Sequence, residues 1–77
     1  MGRDKLVKAE IVAGEKNSPL RIVLAGGSVL VGQSWGIEPG TDGEKGEADF
    51  DVLAFFVPDL NTVTWLRNEQ ITDVSLA

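Results

Sequence analysis

Hydrophobic and polar positions alternate most clearly between Leu20 and Glu38, in LRIVLAGGSVLVGQSWGIE. Leu20, Ile22 and Leu24 alternate with Arg21 and Val23, the period of a strand with one buried face. Gly26-Gly27 follows and supplies the positive φ that a tight hairpin turn needs. On the return strand, Val29, Val31, Gln33, Trp35 and Ile37 share one face; Leu30, Gly32, Ser34 and Gly36 share the other. Glycines inside a strand weaken it, so Gly32 and Gly36 mark sharp bending or the close approach of another backbone. A strand bent that strongly suits a small barrel.

Upstream, Met1 to Ala13 fits two patterns. Asp4 as a cap, Leu6, Val7 and Ile11 near one stripe, and Gly14 as a stop describe a short helix. Val7, Ala9, Ile11 and Ala13, alternating with Lys8, Glu10 and Val12, describe a strand; the helix is preferred. Glu15 to Pro19 is a turn-rich connector. Pro39 to Ala48, PGTDGEKGEA, is a loop without periodicity. Phe50 to Val57, FDVLAFFV, is a third strand, apolar on both faces after Asp51, as expected of a strand covered on both sides. Pro58-Asp59-Leu60-Asn61 has the residues of a type I turn with proline in second place. Thr62 to Leu66 is the fourth strand, with Val63 and Trp65 on one face and Thr62, Thr64 and Leu66 on the other. Trp65 suits a subunit interface or a place in the core, and the two are not exclusive. Arg67 to Gln70 forms a tight connection to a fifth strand, Ile71 to Leu76. The expected fold is mostly β: five bent antiparallel strands in a small barrel with a short N-terminal helix, one domain over residues 1–77.

Seventy-seven residues bury only about 60% of the unfolded surface, so chains of this size often depend on disulfides, metals or partners. There is no Cys, which excludes disulfides and thiolate metal sites, and no His, which removes the commonest general base and metal ligand. Oligomerisation is the support that remains. A Ser or Thr nucleophile would lack its usual activating base, so catalysis is not expected. Five acids, Asp42, Glu44, Glu47, Asp49 and Asp51, fall within ten positions. They either hold a hard cation or decorate a solvated loop; the spacing does not fit an EF-hand, and the solvated loop is preferred, with no cofactor. The longest apolar run, Val52 to Val57, is far below the roughly 18 residues of a membrane span. No signal peptide is evident either, so a soluble cytoplasmic protein is expected.

The net charge of −5 argues against nonspecific nucleic-acid binding through bulk charge. Its distribution is uneven. Residues 1–21 carry five bases and three acids, and the remainder two bases and nine acids. A ring of such chains would have one basic and one acidic face, unless this is simply solvated surface.

Counting from Leu24, glycines fall three and eight residues on, at Gly27 and Gly32, and Ile37-Glu38 stands thirteen and fourteen on. This resembles the first conserved box of the Sm/LSm (Sm-like) family: leucine, two residues, glycine, four residues, glycine, then a hydrophobic residue and aspartate. Leu66-Arg67-Asn68-Glu69-Gln70-Ile71-Thr72-Asp73-Val74 resembles the second box, of the archaeal and eukaryotic Arg-Gly type. The resemblance covers Asn17 to Leu76. It implies an SH3-like barrel and a homo-oligomeric ring in which the fourth strand of one subunit pairs with the fifth of the next. It also implies binding of uridine-rich single-stranded RNA around a central pore, as an RNA chaperone or RNP scaffold.

Carried over by position, the implied RNA-binding residues are Glu38 for the family aspartate, Phe50 as stacking side chain, Asp51 for asparagine, Arg67 for arginine and Asn68 for glycine. These departures matter. Asparagine both donates to and accepts from uracil, whereas an ionised aspartate only accepts. A carboxylate suits the two parallel donors of guanine's Watson–Crick edge. The substitutions therefore leave either a changed base preference or a structural or protein-binding scaffold ring that has lost RNA. Phe50 is either a stacking platform or core. Arg67 either contacts RNA or pairs with Glu38 or Asp51.

Overall fold

The computed structural model describes residues 3–40 and 50–77 and has a mostly β fold, a five-stranded antiparallel sheet preceded by one helix. Helix α1 spans Asp4–Ala13, and the strands are β1 Leu20–Leu24, β2 Val29–Pro39, β3 Asp51–Val57, β4 Thr62–Arg67 and β5 Ile71–Leu76. Single 3₁₀ turns, Pro58–Leu60 and Asn68–Gln70, join β3 to β4 and β4 to β5. The strand order is β4-β3-β2-β1-β5. The five expected strands are all present, and the N-terminal segment takes the helical alternative. Residues 41–49, with Asp42, Glu44, Glu47 and Asp49 of the acidic loop, lie outside the described residues.

Strand β2 serves two neighbours in succession. Its first part pairs with β1, from Val29 opposite Val23 to Gly32 opposite Leu20; its second pairs with β3, from Gln33 opposite Phe56 to Pro39 opposite Asp51. The changeover falls on the glycines. A Cβ at Gly32 would overlap the Phe56 carbonyl, so β3 approaches as closely as glycine alone permits. Gly36 has φ 111°, and the register slips between Ser34 and Gly36. That slip is a β-bulge, and it reverses the alternation. Before it, Gly32 and Ser34 are buried while Val31, Gln33 and Trp35 are exposed. Beyond it Ile37 packs against the core. The expected grouping of Ile37 with Trp35 on one face is therefore corrected: a strict period of two cannot cross a bulge.

The core joins Leu6, Ala9 and Ala13 of α1 to Leu20 and Ile22 of β1, Leu53, Phe55 and Val57 of β3, Leu66 of β4, and Ile71 and Val74 of β5. Ile11, expected on the buried stripe, is 72% exposed, because the alanines form the packed face. Asp4 is the first helical residue rather than the cap. The capping is done from the far end of the chain. Asn68 Oδ1 accepts the Lys5 N–H at 2.7 Å, and Asn68 Nδ2 donates to Asp4 Oδ1 at 3.1 Å. This satisfies one of the open helix-start donors. Gly14 ends the helix as expected, with its N–H donating to the Glu10 carbonyl at 3.1 Å. Among the described residues no helix is long and apolar enough to cross a membrane.

Candidate functional site

On the outer face of β2, β3 and β4 the register places Glu38 opposite Val52 and Val52 opposite Arg67. Residues directly opposite in an antiparallel sheet point to the same side. The three therefore form a row, with Val52 buried at its centre and Glu38 and Arg67 on the flanking strands. Adjacent strands lie about 4.8 Å apart, so the flanking backbones stand about 10 Å from each other. This row borders a cleft of about 610 Å³ to which Phe50, Trp65 and Gln70 also contribute.

The Arg67 guanidinium lies over the Phe50 ring, 4.2 Å from its centroid, a cation–π arrangement. Its Nη2 is 3.1 Å from Glu69 Oε2. Its Nε is buried and has no hydrogen-bond partner among the described residues. The backbone N–H of Arg67 donates to Gln70 Oε1 at 2.8 Å, which ties the end of β4 to the following turn. Arg67 therefore pairs with neither Glu38 nor Asp51, since its neighbour two residues on is within reach first. Phe50 is half-buried at the cleft and is not a member of the core.

Asp51 adjoins the cleft. Its Oδ2 lies 3.3 Å from Arg3 Nε, so a base placed just ahead of α1 faces its charge. Asn68 is turned towards α1, where both ends of its amide are engaged. The structure thus brings Glu38, Phe50 and Arg67 into one cleft, sets Asp51 beside it, and commits the Asn68 side chain to the helix start.

Trp65 is a further contributor. It is 57% exposed, which rules out the core alternative for it. Its Nε1–H donates to Glu38 Oε1 at 2.8 Å. Since β3 separates β4 from β2, the indole must reach across β3, where its register partner is Ala54. The small side chain gives it room, and Ala54 is only 5% exposed although it shares the outer face. Ala54 is the one small residue in FDVLAFFV, and that is the only trace of this arrangement in the sequence. On the same face Trp35 stacks on Phe56, with centroids 5.3 Å apart and planes 8° from parallel.

Two carboxyls at the helix are displaced from ordinary behaviour. The Asn68 amide, donating to Asp4, holds that carboxyl below the usual carboxylate range. Lys8, with Nζ 2.8 Å from Asp73 Oδ1, does the same for Asp73. Among the described residues no three His, Cys, Asp or Glu side chains gather in a way that could hold a metal ion. Compared with protein-family models, with curated proteins and with solved structures, the chain matches none.

Proposed function

We propose that this chain is the subunit of an Sm-like ring that binds single-stranded RNA, as a chaperone or scaffold and without catalysis. The observation that carries the reading is the convergence of Glu38, Phe50 and Arg67, from distant parts of the chain, in one cleft. A single-stranded base needs a flat surface to stack on and polar groups at its edge. The Phe50 ring with the Arg67 guanidinium laid on it offers the first; the Glu38 carboxylate offers the second. Strand order supports the ring. Strands β4 and β5 are the outermost, and each is six residues long. Pairing of one subunit's β4 with the next subunit's β5 leaves no open edge once the ring closes.

The test is a fluorescence-anisotropy titration with short labelled oligonucleotides at low and near-physiological salt. Saturable binding that survives the higher salt is expected. Arg67→Ala removes the upper half of the stacking platform and is expected to weaken binding by about tenfold. Folded protein that binds no oligonucleotide would sink the RNA reading.

A second reading keeps the ring and gives it a structural or protein-binding role. It is favoured by the net charge of −5 and by the acids Asp51 and Glu69 close to Phe50 and Arg67, which repel phosphate.

A further inference from the structure

Stacking on the Phe50–Arg67 platform accepts any base, because every base has a π face. Discrimination then falls to the groups that meet the base edge, and Glu38 is foremost among them. Its Oε1 already accepts the single donor of the Trp65 indole. That bond orients the carboxylate, since Trp65 is itself laid across β3. Among the described residues Oε2 has no hydrogen-bond or ion-pair partner, and Oε1 has only the indole.

Two acceptors side by side suit a base edge with two adjacent donors. Guanine has one, its ring N1–H beside its N2 amino group. Uracil offers a single N–H between two carbonyl oxygens, which a carboxylate repels. Cytosine and adenine each set one amino donor beside a ring-nitrogen acceptor. The cleft, of about 610 Å³ and lined in part by Glu38, Val52 and Arg67, has room for a purine ring.

We propose that the cleft selects guanine, read by the Glu38 carboxylate, with Trp65 as the residue that positions it. This rests on the RNA-binding reading above. In the Sm-like resemblance the altered base preference was attached to Asp51; here Asp51 pairs with Arg3 beside the cleft, and the carboxylate that lines the cleft is Glu38.

The deciding experiment compares three labelled oligonucleotides of about seven nucleotides, a length within the usual single-strand site size. One is all uridine, one carries a single central guanosine, and one carries inosine there, which keeps N1–H and lacks the N2 amino group. A lone guanosine also avoids guanine quartets. The guanosine oligomer is expected to bind about fivefold tighter or better than the uridine one, the discrimination a bidentate contact supplies. The inosine oligomer should fall back towards uridine. Glu38→Gln, which turns an amide donor into the site, should abolish the guanosine preference. Trp65→Phe keeps an aromatic surface without the N–H donor and should shrink the guanosine-to-uridine ratio.

Equal affinities for the three oligomers in the wild type overturn the proposal, as does a guanosine preference that survives Glu38→Gln. Saturable binding that prefers uridine, adenosine or cytidine removes guanine selection and leaves RNA binding standing. No binding to any oligomer removes both. Far-ultraviolet circular dichroism checks that each variant is folded; should Trp65→Phe not fold, the inosine and Glu38→Gln arms still decide.

Discussion

At Gly32 the space for a side chain is occupied by the Phe56 carbonyl, so any larger residue must push β3 off β2 or straighten the bend. Neither backbone can yield cheaply, because β2 is paired with β1 up to Gly32 and with β3 from Gln33 onward. Gly32→Ala is expected to cost about 1–3 kcal/mol, the usual penalty of overfilling a packed site. It should appear as a lower urea midpoint with an unchanged slope. A wild-type midpoint would mean that β3 can shift without penalty. This position was legible in the sequence, since a glycine within an alternating apolar strand points to close approach. The Trp65–Glu38 bond was not. Twenty-seven residues separate its partners, and only the strand order brings them onto one face.

At the scale of elements, the N-terminal helix shows how much a sequence pattern conveys and where it stops. Its helical state was one of the two patterns that the periodicity allowed; its end at Gly14 and the five strands after it follow from periodicity and turn residues. Its start does not, because the cap comes from Asn68, and no local rule connects an asparagine to a helix at the other end of the chain. Asn68, which the Sm-like resemblance set against a glycine, is that cap. The helix docks on β5 through Lys8 and Asp73, and that contact has a pH signature. The folded-state pKa of Asp73, like that of Asp4, lies below the ordinary value of 3.8. A depressed carboxyl binds its proton less readily in the folded than in the unfolded chain. Its contribution is therefore complete above the ordinary value and is lost as pH falls below it, through the folded pKa. Urea midpoints measured from about pH 6 down to about pH 3 should fall more for the wild type than for Asp73→Asn, the two converging in acid. Parallel profiles would show that Lys8 and Asp73 do not couple helix docking to protonation.

For the whole molecule, the consequence of strand order is that the backbone groups on the outer edges of β4 and β5 need a partner or water. The Ala77 N–H donates to the Pro19 carbonyl at 3.1 Å, across the β5–β1 ladder. In an antiparallel ladder the next residue along points its backbone groups the other way, so the Leu76 N–H faces the open edge. Its side chain is 58% exposed and is not part of the core. Proline there removes one edge donor and is tolerated on an edge strand. In the proposed ring this donor would meet β4 of the neighbour, and the loss recurs at every interface. Leu76→Pro is expected to leave each subunit folded and to shift the solution mass, measured by light scattering at micromolar concentration, from a multiple towards a single chain. Trp65, on the opposite edge strand β4 and more than half exposed in the isolated subunit, should report the same step. Its emission should move to the blue as the wild type assembles and return to the red in the proline variant. If the unaltered protein already has a single-chain mass at that concentration, β4 and β5 are simply solvated edges, and a cleft that binds RNA would have to do so one subunit at a time.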